Sequence, residues 1–144
     1  EKHATVDHRL LGGASLSATR HSRLCLGTST EMKTDATKLL REGVALAGRT
    51  WAAAQAELGV APADVSAFLL HQVGKANHDA LIAHLQLPEE RVLRLYTDHG
   101  NVGAAGVPFT LATAIERGVV REGQLAMMMG IGSGLNCAML GVRW

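Results

Sequence analysis

Three stretches of the 144-residue chain carry residue types that can do chemistry at a loop: His71-Gln72, the run DHGNVGAAGVP over 98–108, and GIGSG over 130–134. An imidazole at the end of an apolar segment can serve as acid, base or hydrogen-bond donor. His71 taken alone fits equally well as a core histidine satisfied by backbone. Asn101 offers a neutral amide donor that needs no protonation. Beside a histidine it would complete a two-donor pocket for a developing oxyanion. Taken alone it fits a turn asparagine between glycines that tolerate left-handed geometry. The small residues around it read as backbone brought close to a ligand. Ser133 sits in the glycine bend, whose amides could cradle an anion or oxyanion. That bend lacks the Lys-Ser/Thr of a phosphate loop, and a strand rather than a helix follows, so a dinucleotide fingerprint is a poor fit. By itself it reads as a tight hairpin. The three stretches each follow an apolar segment, and together they point to one site at a sheet edge more strongly than any does singly.

The remaining candidates are weaker. Cys25 lies in a loop ahead of the first long helix, near Arg23, and reads as a partly buried, unreactive thiol. Cys137 lies inside an apolar strand and reads as a small core residue. His78 and His84 fall on different faces of one helix, and His99 adjoins Asp98 in a loop. No pair has metal-ligand spacing with a third ligand in register, so no metal is expected. The methionine run 127–129 reads as strand core.

Alternating elements must position these residues. HRLLGGASLSATR (8–20) lacks helical periodicity and is read as a strand, with a loop over 21–34. Apolar residues at helical spacing predict a helix over 35–58, capped by Asp35 and stopped by Gly59. SAFLLHQ (66–72) suits a strand buried on both faces. A helix over 75–87, ended by Pro88, a short strand RVLRLY (91–96) and a helix over 108–118 follow. Two apolar strands, 123–132 and 135–144, close the chain and should pair antiparallel across their short bend. The order β-α-β-α-β-α-β-β predicts an α/β layered domain with largely parallel strands, and residues 1–144 are read as one domain.

Composition excludes several classes. An apolar content of 47% with only 3% aromatic residues implies an aliphatic core. A net charge of +1, with both signs interspersed, gives no footprint for nucleic acid or a membrane surface. No apolar run reaches the roughly 18 residues of a membrane span. Two cysteines without paired or zinc-like spacing fit a reduced cytoplasmic setting. The sequence opens at Glu1 rather than Met, so a fragment, a processed product or one chain of a split protein is expected.

HQVGKAN, GNVGAAGVP and GIGSGLNC, in this order and spacing, resemble the C-terminal half of thiolase-superfamily condensing enzymes, and within them the ketoacyl synthase III branch. MGIGSGLNCAMLGVRW is most similar to the OleA group, which joins two fatty acyl-CoAs head to head. The resemblance covers nearly the whole chain and is strongest from residue 66 onward. It implies a βαβαβαββ half that completes a five-layered αβαβα fold with a second half and acts as a dimer. It also implies coenzyme A thioesters as substrates and no bound cofactor. By motif match, His71 and Asn101 are the family histidine and asparagine, and Asn101 binds a thioester oxygen. Ser133 matches the position whose backbone N–H shares a second oxyanion hole with the amide of the nucleophilic cysteine. That cysteine belongs to the N-terminal half, as does the OleA-type glutamate base, and no residue here matches either. The segment 21–34 is short for the branch. The chain is therefore expected to be inactive alone, to expose apolar surface, and to work with an N-terminal thiolase half or a companion subunit carrying the cysteine. Decarboxylative priming of fatty acid or polyketide synthesis, and a non-catalytic thiolase-like subunit, are the alternatives.

Overall fold

The longest periodic segment forms the longest helix, α1 (Ala36–Leu58), in a computed structural model that describes residues 7–144. Its ends are those the sequence signals. The Asp35 carboxylate accepts from the Lys38 amide at 3.1 Å, and Gly59 closes the helix in the left-handed region at φ 64°. The face carrying Leu46, Ala47, Thr50, Trp51 and Ala54 is buried.

That face lies on a four-stranded sheet built from β1 (Arg9–Ser17), β4 (Ala67–Leu70), β5 (Leu125–Gly132) and β6 (Asn136–Arg143), in the order β1-β6-β5-β4. β5 and β6 pair antiparallel, as so short a bend requires. The sheet is not largely parallel. Among the described residues only β4–β5 is a parallel ladder, because β1 adds antiparallel to the free edge of β6. β1 lies close against β6 at Gly13. Its φ is 147°, and a methyl there would stand 2.0 Å from the Met139 carbonyl oxygen.

β4 is the central buried strand; none of its residues is more than 1% exposed. Side chains alternate between two cores. Phe68, Leu70, Met127 and Met129 pack with α1 and with α2 (Lys75–Leu85). Ala67, Leu69 and Ala126 pack on the other side with Ala114, from α4 (Gly106–Glu116). The arrangement is three layers, helix on sheet on helix, and the methionine run is strand core as read. Helix α2 stops at Leu85, two residues before the predicted end, because Gln86 turns into the left-handed region at φ 52°.

Two further elements differ from the sequence reading. Residues 21–34 are not a plain loop. A 3-10 turn (Thr19–Leu24) leads into an antiparallel hairpin of β2 (Cys25–Gly27) and β3 (Met32–Thr34). The Thr28 hydroxyl accepts from the amides of Thr30 and Glu31 and so closes its turn. Residues 91–96 are not a strand either; one parallel bridge, Phe68 to Val92, is all that forms. The reason is competition for backbone groups. The Leu93 carbonyl and the Leu95 and Tyr96 amides bond to the side chain of Gln72 instead of a ladder. The chain then enters the single turn α3 (Tyr96–His99).

Candidate active site

His71 follows directly on β4, and its amide donates to the Met129 carbonyl at 2.9 Å, extending the β4–β5 pairing by one residue. The imidazole is half-buried, and that burial pushes its pKa below the ordinary 6.5. At neutral pH the ring is uncharged and offers one N–H. A methyl on Gly106 would stand 2.7 Å from His71 Nδ1, so a residue without a side chain lets the first turn of α4 approach the ring.

Asn101 follows α3 and Gly100, which sits at φ 63°. Its Oδ1 accepts from the Gly103 amide at 2.9 Å. That bond fixes the side chain in an Asx turn and leaves Nδ2 as the donor. Ser133 is in the bend between β5 and β6. The Asn136 amide group, itself held by the Ser17 hydroxyl at 2.6 Å, donates to the Ser133 carbonyl at 3.2 Å.

All three predicted residues line one cavity of about 330 Å³, whose apolar wall includes Leu39, Leu81 and Ile131. Among the described residues lining it there is no Asp, Glu, Lys or Arg. The polar groups are therefore neutral donors in apolar surroundings. His71 is half-buried there and Asn101 and Ser133 are exposed in this chain, so the site offers neutral donors to developing negative charge and supplies no carboxylate base of its own.

Cys25 is a correction. It opens β2 on the cavity wall rather than lying apart in a loop, because residues 25–34 pair as a hairpin whose Cys25, Met32 and Thr34 line the same cavity as Leu39 and Leu40 of α1. The hydroxyls of Ser133 and Thr34 beside its sulfur, the latter at 3.4 Å, hold the thiol below its ordinary range. It is partly buried, as read, and the same hydroxyls favour its thiolate form. Cys137 is the buried core thiol expected, and burial pushes its pKa up. His78 is buried with both ring nitrogens unpartnered, edge-on to Tyr96. His99 meets Phe109 edge-on. Among the described residues no group of three or more His, Cys, Asp or Glu could hold a metal ion, and no helix is long and apolar enough to cross a membrane. Sequence reasoning missed Gly106 beside His71 and the place of Cys25, read as a loop thiol, on the cavity wall. A glycine two residues before Pro108, at a helix start, is the signal that could have marked the first; nothing local marks the second.

A family profile for the C terminal of 3-oxoacyl-[acyl-carrier-protein] synthase III matches residues 53–144. The acyl-CoA:acyl-CoA alkyltransferase of Shewanella oneidensis is 39% identical over 95% of this chain, and that of Xanthomonas campestris 38% over 94%. The β-ketoacyl-[acyl-carrier-protein] synthase III of Rhodobacter capsulatus is 33% identical over 82%. Among solved structures, a variant of Xanthomonas campestris OleA with bound lauric acid and lauroyl-CoA superposes with a TM-score of 0.94, at 36% identity over 99% of this chain. The chain spans 42% and 40% of the two alkyltransferases and 42% of that OleA chain, a thiolase-like half of each. Sequence and fold agree over this span, and the chain belongs to the 3-oxoacyl-[acyl-carrier-protein] synthase III family, whose C-terminal domain it carries.

Proposed function

We propose that residues 1–144 are the His/Asn-bearing domain of a thiolase-fold acyltransferase that condenses two fatty acyl-CoAs without decarboxylation. The observation that carries this reading is that His71, Asn101 and Ser133 line one cavity with an apolar wall. The likeness to two acyl-CoA:acyl-CoA alkyltransferases over at least 94% of the chain supports the substrate class. An N-terminal thiolase half, in the same chain or a companion subunit, supplies the nucleophilic cysteine and the base and completes a five-layered dimeric enzyme. Apolar side chains left exposed on β1 and the hairpin, Leu10, Leu11, Leu26 and Met32, fit such a partner. The reaction needs no bound cofactor, and both cysteines of this chain are free thiols, as a cytoplasmic setting allows.

The steps follow from neutral donors. The partner half's cysteine thiolate attacks the first acyl-CoA carbonyl and expels coenzyme A as a thiolate, leaving an acyl-cysteine thioester. The base removes an α-proton from the second acyl-CoA, and the charge moves to its thioester oxygen. The His71 N–H and Asn101 Nδ2 donate to that oxygen as charge develops on it. The α-carbon attacks the acyl-cysteine carbonyl, whose oxygen becomes an oxyanion. The Ser133 amide shares that charge with the cysteine amide. Collapse expels the cysteine thiolate and releases a β-ketoacyl-CoA, which hydrolysis converts to the β-keto acid.

The test uses the assembly of both halves with a long-chain acyl-CoA, reading coenzyme A release and β-keto product by mass spectrometry. Replacing His71 by Ala lowers product formation by roughly a hundredfold or more. Normal condensation by that variant overturns the catalytic assignment and favours a non-catalytic subunit. The likeness to a β-ketoacyl-[acyl-carrier-protein] synthase III supports a second reading, decarboxylative condensation with a malonyl-carrier protein. Product from malonyl-carrier protein but not from a second acyl-CoA selects it.

A further inference from the structure

We propose that Gln72 is the positioning residue that sets the Asn101 donor against His71; the proposal rests on the reading of both as oxyanion donors. Gln72 is 1% exposed and uses its whole hydrogen-bonding capacity on backbone. Its Nε2 donates to the Leu70 carbonyl at 2.9 Å and to the Leu93 carbonyl at 3.2 Å. Its Oε1 accepts from the Leu95 amide at 2.9 Å and the Tyr96 amide at 3.1 Å. One side chain thus ties the end of β4, where His71 sits, to the start of α3.

From α3 the tie continues without a break. The Leu95 carbonyl accepts from His99 at 3.0 Å, the Tyr96 carbonyl accepts from Gly100 at 3.0 Å, and Asn101 then closes its own turn on Gly103. Among the described residues no strand ladder holds this segment; its one bridge is at Val92, before the tie. Beside the buried Leu95 and the edge-on contact of Tyr96 with His78, Gln72 is thus the polar link between the end of β4 and the segment that leads to Asn101. The adjacency in sequence is functional: one residue presents the imidazole, and the next holds the segment bearing its partner.

The experiment compares wild type, Gln72→Leu and Gln72→Glu in the assembly of both halves. Leu fills similar volume with no polar atoms. Glu keeps the acceptors for Leu95 and Tyr96 but loses both donors, and a protonated carboxyl restores one of the two, to Leu70 or to Leu93. Backbone amide exchange by mass spectrometry is read over 93–103, and acyl transfer and condensation are read separately as coenzyme A burst and β-keto product. Gln72→Leu is expected to speed exchange within 93–103 and to lower condensation by roughly tenfold or more, the scale of a misplaced catalytic group. The acyl-transfer burst, which precedes removal of the α-proton and so puts no charge on the oxygen that His71 and Asn101 bind, stays within about twofold of wild type. Relative to wild type at each pH, Gln72→Glu recovers as pH falls, when its carboxyl can donate again. Unchanged exchange over 93–103, or equal loss of both steps, overturns the proposal. Should wild type itself form no condensation product, the function reading fails, and the exchange result still decides whether Gln72 positions Asn101.

Discussion

Asn101→Asp separates the two jobs of the Asn101 side chain. Its Oδ1 accepts from Gly103 at 2.9 Å, and Nδ2 is left as the donor to substrate. Aspartate keeps an oxygen for Gly103, so the turn survives. It replaces the donor by a carboxylate that is ionised at this exposed position near pH 7. Alanine loses both bonds. The loss of one oxyanion donor corresponds to about 2.7–4 kcal/mol of transition-state stabilisation, a fall of roughly 10²–10³ in rate. Aspartate adds repulsion of the oxyanion, so its condensation rate falls at least as far as that of Asn101→Ala. Stability ranks the other way. Asn101→Asp unfolds within about 0.5 kcal/mol of wild type, and Asn101→Ala loses about 0.5–1.5 kcal/mol with the Gly103 bond. The assay pairs single-turnover product formation with denaturant unfolding of the same preparations. Near-normal condensation by the aspartate variant would refute the donor role. An aspartate variant less stable than the alanine variant would refute the turn.

Three further outcomes are expected. His78 is buried without partners, and desolvation, with Arg94 adding to it, holds its pKa below 6.5. Stability is then full above about pH 6.5 and is lost as pH falls toward the folded value, because the unfolded state binds the proton first; His78→Leu flattens this slope in unfolding curves measured against pH. Gly13→Ala introduces a methyl 2.0 Å from the Met139 carbonyl at positive φ, and lowers unfolding free energy by about 1–3 kcal/mol or more in denaturant titration. Cys25 is alkylated by iodoacetamide before Cys137 at pH 7, as peptide mapping would read, since one thiol faces the cavity with a lowered pKa and the other is buried with a raised one; acyl-CoA slows that alkylation.

Much of this was legible where local rules decide. Asp35 and Gly59 bounded α1 because a cap and a left-handed stop act within one turn. The four-residue apolar run at β4 announced burial on both faces, and the short 133–135 bend dictated an antiparallel pair. His71, Asn101 and Ser133 stood out because each follows an apolar segment at a loop, and motif order joined them.

Long-range competition decided the rest. RVLRLY has strand composition, yet Gln72, more than twenty residues away, takes the backbone groups a ladder would use. The parallel count was wrong because which strand fills the free edge of β6 is a tertiary matter; β1 does so from the far end of the chain. Cys25 lines the cavity because β2 and β3 pair as a hairpin whose residues share that wall with α1, and nothing in its neighbours' identities encodes that placement. The sequence by itself determined the chemical groups and the loops that carry them, since residue type and periodicity are local. Only the tertiary structure decided that the groups share one cavity and that a single buried glutamine spans two of their loops, since hydrogen-bond partners far apart in sequence are chosen by packing.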